Sequence, residues 1–232
     1  MRKKKELILG GTKVEVRYDS TQPIVRVEEI IRKSFEKVGR LFRFSTRRPE
    51  IIVFELMYSR QEYNKRLNRE TQNWESAHAE NGVITIFDPE ALEKYSSHSR
   101  NEFPAIVVHE LTHIFTHAVN KPTLDWVNEG LAQYVAGQDN GRAIEQEKLG
   151  YFLNHHFVKN IGYRDFIDHG GYRISFVLVG YLVKNFGETV IESLIALPGN
   201  TDCTKQIEGI FGTPIETAKN NLRHTASSIA KG

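Results

Sequence analysis

Two short runs constrain this chain more than anything else in it. One is His109-Glu110-Leu111-Thr112-His113; the other is Asn128-Glu129-Gly130-Leu131-Ala132. On an α-helix, residues four apart lie about 40° around the axis and about 6 Å along it, so both imidazoles lean over one face. Neutral imidazole is a preferred zinc ligand, and two His with one Glu and an open fourth position form a catalytic zinc set. Glu110, one step round from His109, is placed to contact a water at such an ion rather than the ion itself. The pattern reads as a zinc hydrolase site, with His109 and His113 as ligands, Glu129 as candidate third ligand and Glu110 as general base.

Five residues could also be a solvated helix face with two unrelated histidines. The flanks argue against that. Pro104-Ala105-Ile106-Val107-Val108 before the motif and Ile114-Phe115 after it are apolar, which expects a largely buried helix over about 102–119. Paired histidines in an apolar helix need partners for their ring nitrogens, and a metal ion supplies one. His117 continues the spacing but lies about 12 Å along the helix from His109, too far for one ion with bonds of about 2.0–2.1 Å. It reads instead as a C-terminal residue whose cationic form suits the helix dipole.

The paired motifs resemble the gluzincins, zinc peptidases with an HExxH helix and a downstream Glu ligand. The stretch Asp125-Trp126-Val127-Asn128-Glu129-Gly130-Leu131-Ala132-Gln133-Tyr134 is similar to the signature of their peptidase-MA-like group. The resemblance implies that His109, His113 and Glu129 bind one Zn2+ and that Glu110 is the catalytic base. It implies an α+β zincin-like fold and a peptide or protein substrate. Gln133 departs from thermolysin-like members, which carry an Asp there to orient a zinc histidine. A neutral amide can still orient the ring but raises its basicity less.

A hydrolytic zinc site also needs a donor for the oxyanion of the tetrahedral intermediate. Tyr172, at a helix entrance after Gly170-Gly171, is the candidate, because aminopeptidase-type gluzincins use a Tyr at the start of a similar helix. Ser175 stands where that pattern has Gly. The other reading of Tyr172 is an amphipathic anchor in the core, with Tyr134, Tyr151, Tyr163, Tyr181 and His169 as alternative donors. In zincins the strand before the motif helix is an exposed edge that takes extended substrate, which assigns that role to Val83–Asp88; an interior strand is the alternative. Ala77-His78-Ala79-Glu80-Asn81 matches an aminopeptidase amino-terminus-binding element only at Glu80 and Asn81, and reads more simply as a surface turn.

With 40% apolar residues over 232 positions, the chain can bury a core as one zincin-like domain. An N-terminal sheet-containing lobe is expected over about 1–120 and a helical lobe over about 121–232. A net charge of +2 gives no reason to invoke nucleic acid. No apolar run approaches the roughly 18 residues of a membrane span, and no signal-peptide core follows Arg2-Lys3-Lys4-Lys5. With Cys203 alone, a reducing, cytoplasmic setting is expected. Strands are expected at 12–18, 51–57 and 83–88. Helices are expected from Thr21-Gln22-Pro23, from Ser59 to about Glu70, and over about 129–137, 142–158, 172–186, 188–197 and 213–229. Two functional alternatives share every one of these residues: a metal-dependent hydrolase of a non-peptide substrate, and a catalytically silent zincin acting as a binding or regulatory module.

Overall fold

The computed structural model describes residues 2–19, 24–120, 122–139, 141 and 143–229. The chain divides into two compact units, Met1–Ala118 and Val119–Gly232. The first carries all the named strands: β1 (Arg2–Leu9), β2 (Thr12–Asp19), β3 (Ile51–Met57), β4 (Ala77–Glu80) and β5 (Val83–Phe87). They form one mixed sheet in the order β1-β2-β3-β5-β4. The two outer pairings are antiparallel and the two inner ones parallel.

Alternation along the strands sorts the sheet into two faces. Val14 pairs with Ile52, Val16 with Phe54, Phe54 with Ile84 and Leu56 with Ile86, which makes a continuous buried apolar face. The intervening residues put Glu15, Arg17, Glu55 and Thr85 on the other face. There Glu55 is buried between Arg17, at 2.7 Å, and Arg66.

Two expectations about this sheet need correction. Val83–Phe87 is an interior strand, flanked by β3 and β4, so the open edge on this side belongs to β4. The Ala77–Glu80 segment is therefore a strand, and the turn is confined to Asn81-Gly82. Both turn residues have positive φ, 49° and 80°, the geometry a two-residue hairpin loop requires. The basic Arg2–Lys5 cluster also lies in a strand, because β1 pairs along its whole length with β2.

Helix α1 (Val25–Leu41) buries Val27, Ile31, Phe35 and Val38 at helical spacing. The helix opening expected at Thr21-Gln22-Pro23 lies outside the described residues. Ser59 caps α2 (Arg60–Leu67) by accepting from the Glu62 N–H at 3.2 Å. Asp88 does the same for α3 (Pro89–Tyr95), with Pro89 in its first turn. Sequence periodicity had not marked α3, which is only seven residues long.

Helix α4 (Phe103–Val119) is the histidine helix, and its boundaries match the expected ones to within one residue at the start. Phe115 fixes it to the first unit: its ring lies 5.4 Å from both Phe35 and Phe42.

The second unit is helical: α5 (Asp125–Ala136), α6 (Gln146–His155), α7 (Tyr163–Asp168), α8 (Gly171–Phe186), α9 (Val190–Ile195), α10 (Thr204–Phe211) and α11 (Ile215–Ile229). Its centre is α5 against α8. A Cβ on Gly130 would lie 2.6 Å from the Ser175 carbonyl oxygen, so only glycine permits this approach. The smallness of Gly130 thus serves α8. The buried Trp126 anchors the start of α5, its indole N–H donating to the Phe157 carbonyl at 3.0 Å. The separate helices α7 and α10 were not anticipated, and α6 is shorter than expected.

Candidate metal centre

The apolar flanks of α4 do what the sequence implied. Val107, Val108, Leu111, Ile114 and Phe115 are buried, and the polar motif residues are carried into the interior with them. Glu110 is 7% exposed and His113 8%. The His109 and His113 rings meet edge to face, with centroids 4.7 Å apart, as an i, i+4 pair on one helix face should. The His117 ring is 6.3 Å from that of His113 and parallel to it, one turn further on. Tyr63 of α2, fully buried, has its phenol pushed well above the ordinary value, first by desolvation and then by the Glu110 charge. Sequence reasoning did not single it out; a Tyr in a polar eight-residue helix carries no motif.

On α5, Glu129 is 5% exposed and Gln133, four residues on, is 8% exposed. Tyr163, the first residue of α7, donates its hydroxyl to Glu129 Oε1 at 2.9 Å. The Tyr172 hydroxyl lies 2.6 Å from that of Tyr163. Tyr172 stands in the first turn of α8, as expected, and its hydroxyl joins a hydrogen-bonded chain that ends on Glu129. Desolvation and then the Glu129 charge push the Tyr163 phenol far above its usual value. The same two causes, in the same order, raise the Asp125 carboxyl to about 6. Asp125 is one turn before Glu129 on the same helix, so this stretch of α5 concentrates negative charge where water is scarce.

His109 and His113 belong to the first unit and Glu129 to the second, and each offers a ligand atom of the kind that zinc takes. Of the alternative donors, Tyr163 contacts Glu129 directly. Tyr151 and His169 instead gather around Asp165, Tyr151 through its hydroxyl at 3.3 Å.

No protein-family model matches the sequence, and no curated protein matches it. Solved structures do match. A mutant of the M1 zinc metallopeptidase from Deinococcus radiodurans superposes with a TM-score of 0.50 at 14% identity, covering 96% of this chain and 51% of that one. Another structure of the Deinococcus radiodurans M1 zinc metallopeptidase gives 0.48 at 15% identity, with coverages of 96% and 51%. An aminopeptidase N family protein from Idiomarina loihiensis gives 0.43 at 10% identity, covering 99% of this chain and 42% of that one. The chain thus spans about half the length of these proteins or less. At a TM-score of 0.50 and 14% identity, the first of these likenesses shows a shared α+β fold. Among the described residues no helix is long and apolar enough to cross a membrane.

Proposed function

We propose that this chain is a zinc-dependent peptidase in which His109, His113 and Glu129 hold one zinc ion and Glu110 is the general base. The observation that carries the reading is the pair of imidazoles on one face of the buried α4, ring centroids 4.7 Å apart, with Glu110 hidden beside them. With the Glu129 carboxylate added they make the donor set of catalytic zinc. Bound there, the ion would polarise the scissile carbonyl and acidify the attacking water.

The residues of the chain take the remaining roles. Glu110, on the motif helix but outside the ligand group, accepts the proton of the attacking water and returns it to the leaving amine. The Tyr172 hydroxyl, which donates to Tyr163 in the resting chain, turns its proton to the developing oxyanion. Tyr163 holds Oε1 of Glu129 and thereby orients that carboxylate, a supporting contact of the kind metal ligands depend on. The free edge of β4 offers main-chain donors and acceptors to an extended peptide, the role first assigned to the neighbouring strand β5.

Glu110→Gln tests the proposal. Turnover of a quenched-fluorescence peptide library should fall about 10²–10⁴-fold, with zinc content and Tm unchanged. Parent-like turnover in that variant would refute Glu110 as the base. A parent protein that retains zinc yet cleaves no peptide would leave the non-peptide hydrolase or the silent zincin in its place.

A further inference from the structure

A second cluster of ligating side chains lies wholly within the helical unit. His156 follows the last residue of α6, Asp165 lies in the first turn of α7, and His169 follows the last residue of α7. Asp165 and His169 are i, i+4, so they share a face, and the short connection between the helices brings His156 to the same place. His156 Nε2 is 2.8 Å from Asp165 Oδ2. His169 Nδ1 lies 3.5 Å from Asp165 Oδ1 and donates to the Asp165 carbonyl oxygen at 2.9 Å, which leaves the lone pair of the neutral ring on Nε2. One ligand atom from each residue falls within 4.8 Å of the others.

We propose that His156, Asp165 and His169 form a second metal site, taking a zinc-class divalent ion through two imidazoles and one carboxylate. The chemistry of the set favours such an ion, since nitrogen-rich ligation selects borderline transition metals over magnesium or calcium. The positions of the rings are already fixed. His156 is 1% exposed and set among Phe152 and Phe166, whose ring centroids lie 5.7 and 5.8 Å away. Tyr151 stacks on His169 at 3.8 Å, with the planes 14° apart. The side chains of Asp165 and His169 are about one-third exposed, at 36% and 34%, which leaves an approach from solvent and room for water ligands.

The geometry also sets the strength of the site. His156 Nδ1 is buried without a hydrogen-bond partner. When Nε2 binds an ion, the proton of the neutral ring must sit on Nδ1, where nothing accepts it. Ligating histidines normally donate that proton to a supporting group, and losing such support weakens metal affinity about 10–100-fold. The second site is therefore weaker, and more readily exchanged, than a site whose histidines all have such support. Its occupancy ties the ends of α6 and α7 together, and α7 begins with Tyr163, the residue that holds Glu129.

Zn2+ titrated into the metal-free full chain against a chromogenic chelator tests this. Two classes of binding are expected, separated by at least about tenfold. The weaker class should vanish in Asp165→Asn and in His169→Ala, the latter a one-third-exposed position where truncation spares the core. His113→Ala should remove only the tighter class. A single class in the parent that survives Asp165→Asn and His169→Ala, or a weaker class that survives both, overturns the second site. A single class that both variants abolish would instead count against the proposed catalytic ligands, leaving the second site standing.

Discussion

Two glutamates are almost equally hidden, Glu55 at 4% exposure in the sheet and Glu129 at 5% in α5, yet their surroundings handle the charge in opposite ways. Burial pushes the Glu55 carboxyl up, but hydrogen bonds and charges from Arg66 and Arg17 outweigh it and hold the group below its usual range. The charge is compensated within the fold, so Glu55 is a structural ion pair. Glu129 accepts from a neutral phenol and has an acid, Asp125, one turn away whose carboxyl is raised to about 6 by desolvation and by Glu129 itself. Within its own unit the Glu129 charge raises the pKa of its neighbours Asp125 and Tyr163, whereas the arginines beside Glu55 lower that of Glu55 itself. Burial alone does not distinguish a structural from a functional carboxylate; what shares the space with it does.

The largest expected effect tests whether the phenol chain on Glu129 does chemistry rather than packing. Tyr172→Phe should lower kcat about 10²–10³-fold, as for other lost oxyanion donors, with KM, zinc content and Tm nearly unchanged. A kcat within about threefold of the parent, some 0.7 kcal/mol, would move the role to Tyr163.

Next comes the sheet carboxylate. Glu55→Gln should cost about 1.5–3 kcal/mol at pH 7 by weakening hydrogen bonds to charged partners, without altering zinc binding. Because the folded pKa of Glu55 is depressed, its contribution is present above the ordinary carboxylate value and is lost as pH falls through the folded pKa. Denaturant unfolding of parent and variant should therefore converge in acid. A difference that persists unchanged there would mean the ion pairs are not its source.

The smallest effect has the opposite sign. The Asp125 pKa is raised, so its contribution is fully present below the unfolded value and is lost as pH rises through about 6. Metal-free Asp125→Asn should then be more stable than the parent at pH 8, by about 1 kcal/mol, and no more stable at pH 4. Zinc loading should shrink the gain if the ion is held by Glu129 as proposed. A variant less stable at pH 8 would break the contrast with Glu55.

What could be read in the sequence follows from how each feature is encoded. His109, Glu110 and His113 sit in one 17-residue helix whose apolar flanks and i, i+4 spacing are both visible as pattern. Glu129 was legible through its resemblance-bearing neighbours. The His156, Asp165 and His169 cluster was not, because its ligands lie at the ends of short helices and are joined by a loop whose path no periodicity specifies. Tyr163 was missed as the partner of Glu129 for the same reason. In the sheet, β2, β3 and β5 announced themselves by alternation or apolar runs, whereas β1 was disguised by Lys and Arg on an exposed edge, a common way to protect an edge strand. β4 was too short and polar to be distinguished from a turn. Its pairing with β5 moved the open edge one strand further out.

Metal retention is the sharpest test of the proposal that Glu129 completes a zinc site with His109 and His113. Parent protein and Glu129→Ala, both loaded with Zn2+ and dialysed against a weak chelator that strips loosely held ions, are assayed by elemental analysis. The parent should retain about one zinc per chain, and Glu129→Ala should lose that ion with the fold intact by circular dichroism. Equal retention by the two proteins, or a well-folded parent that retains no zinc at all, would contradict it.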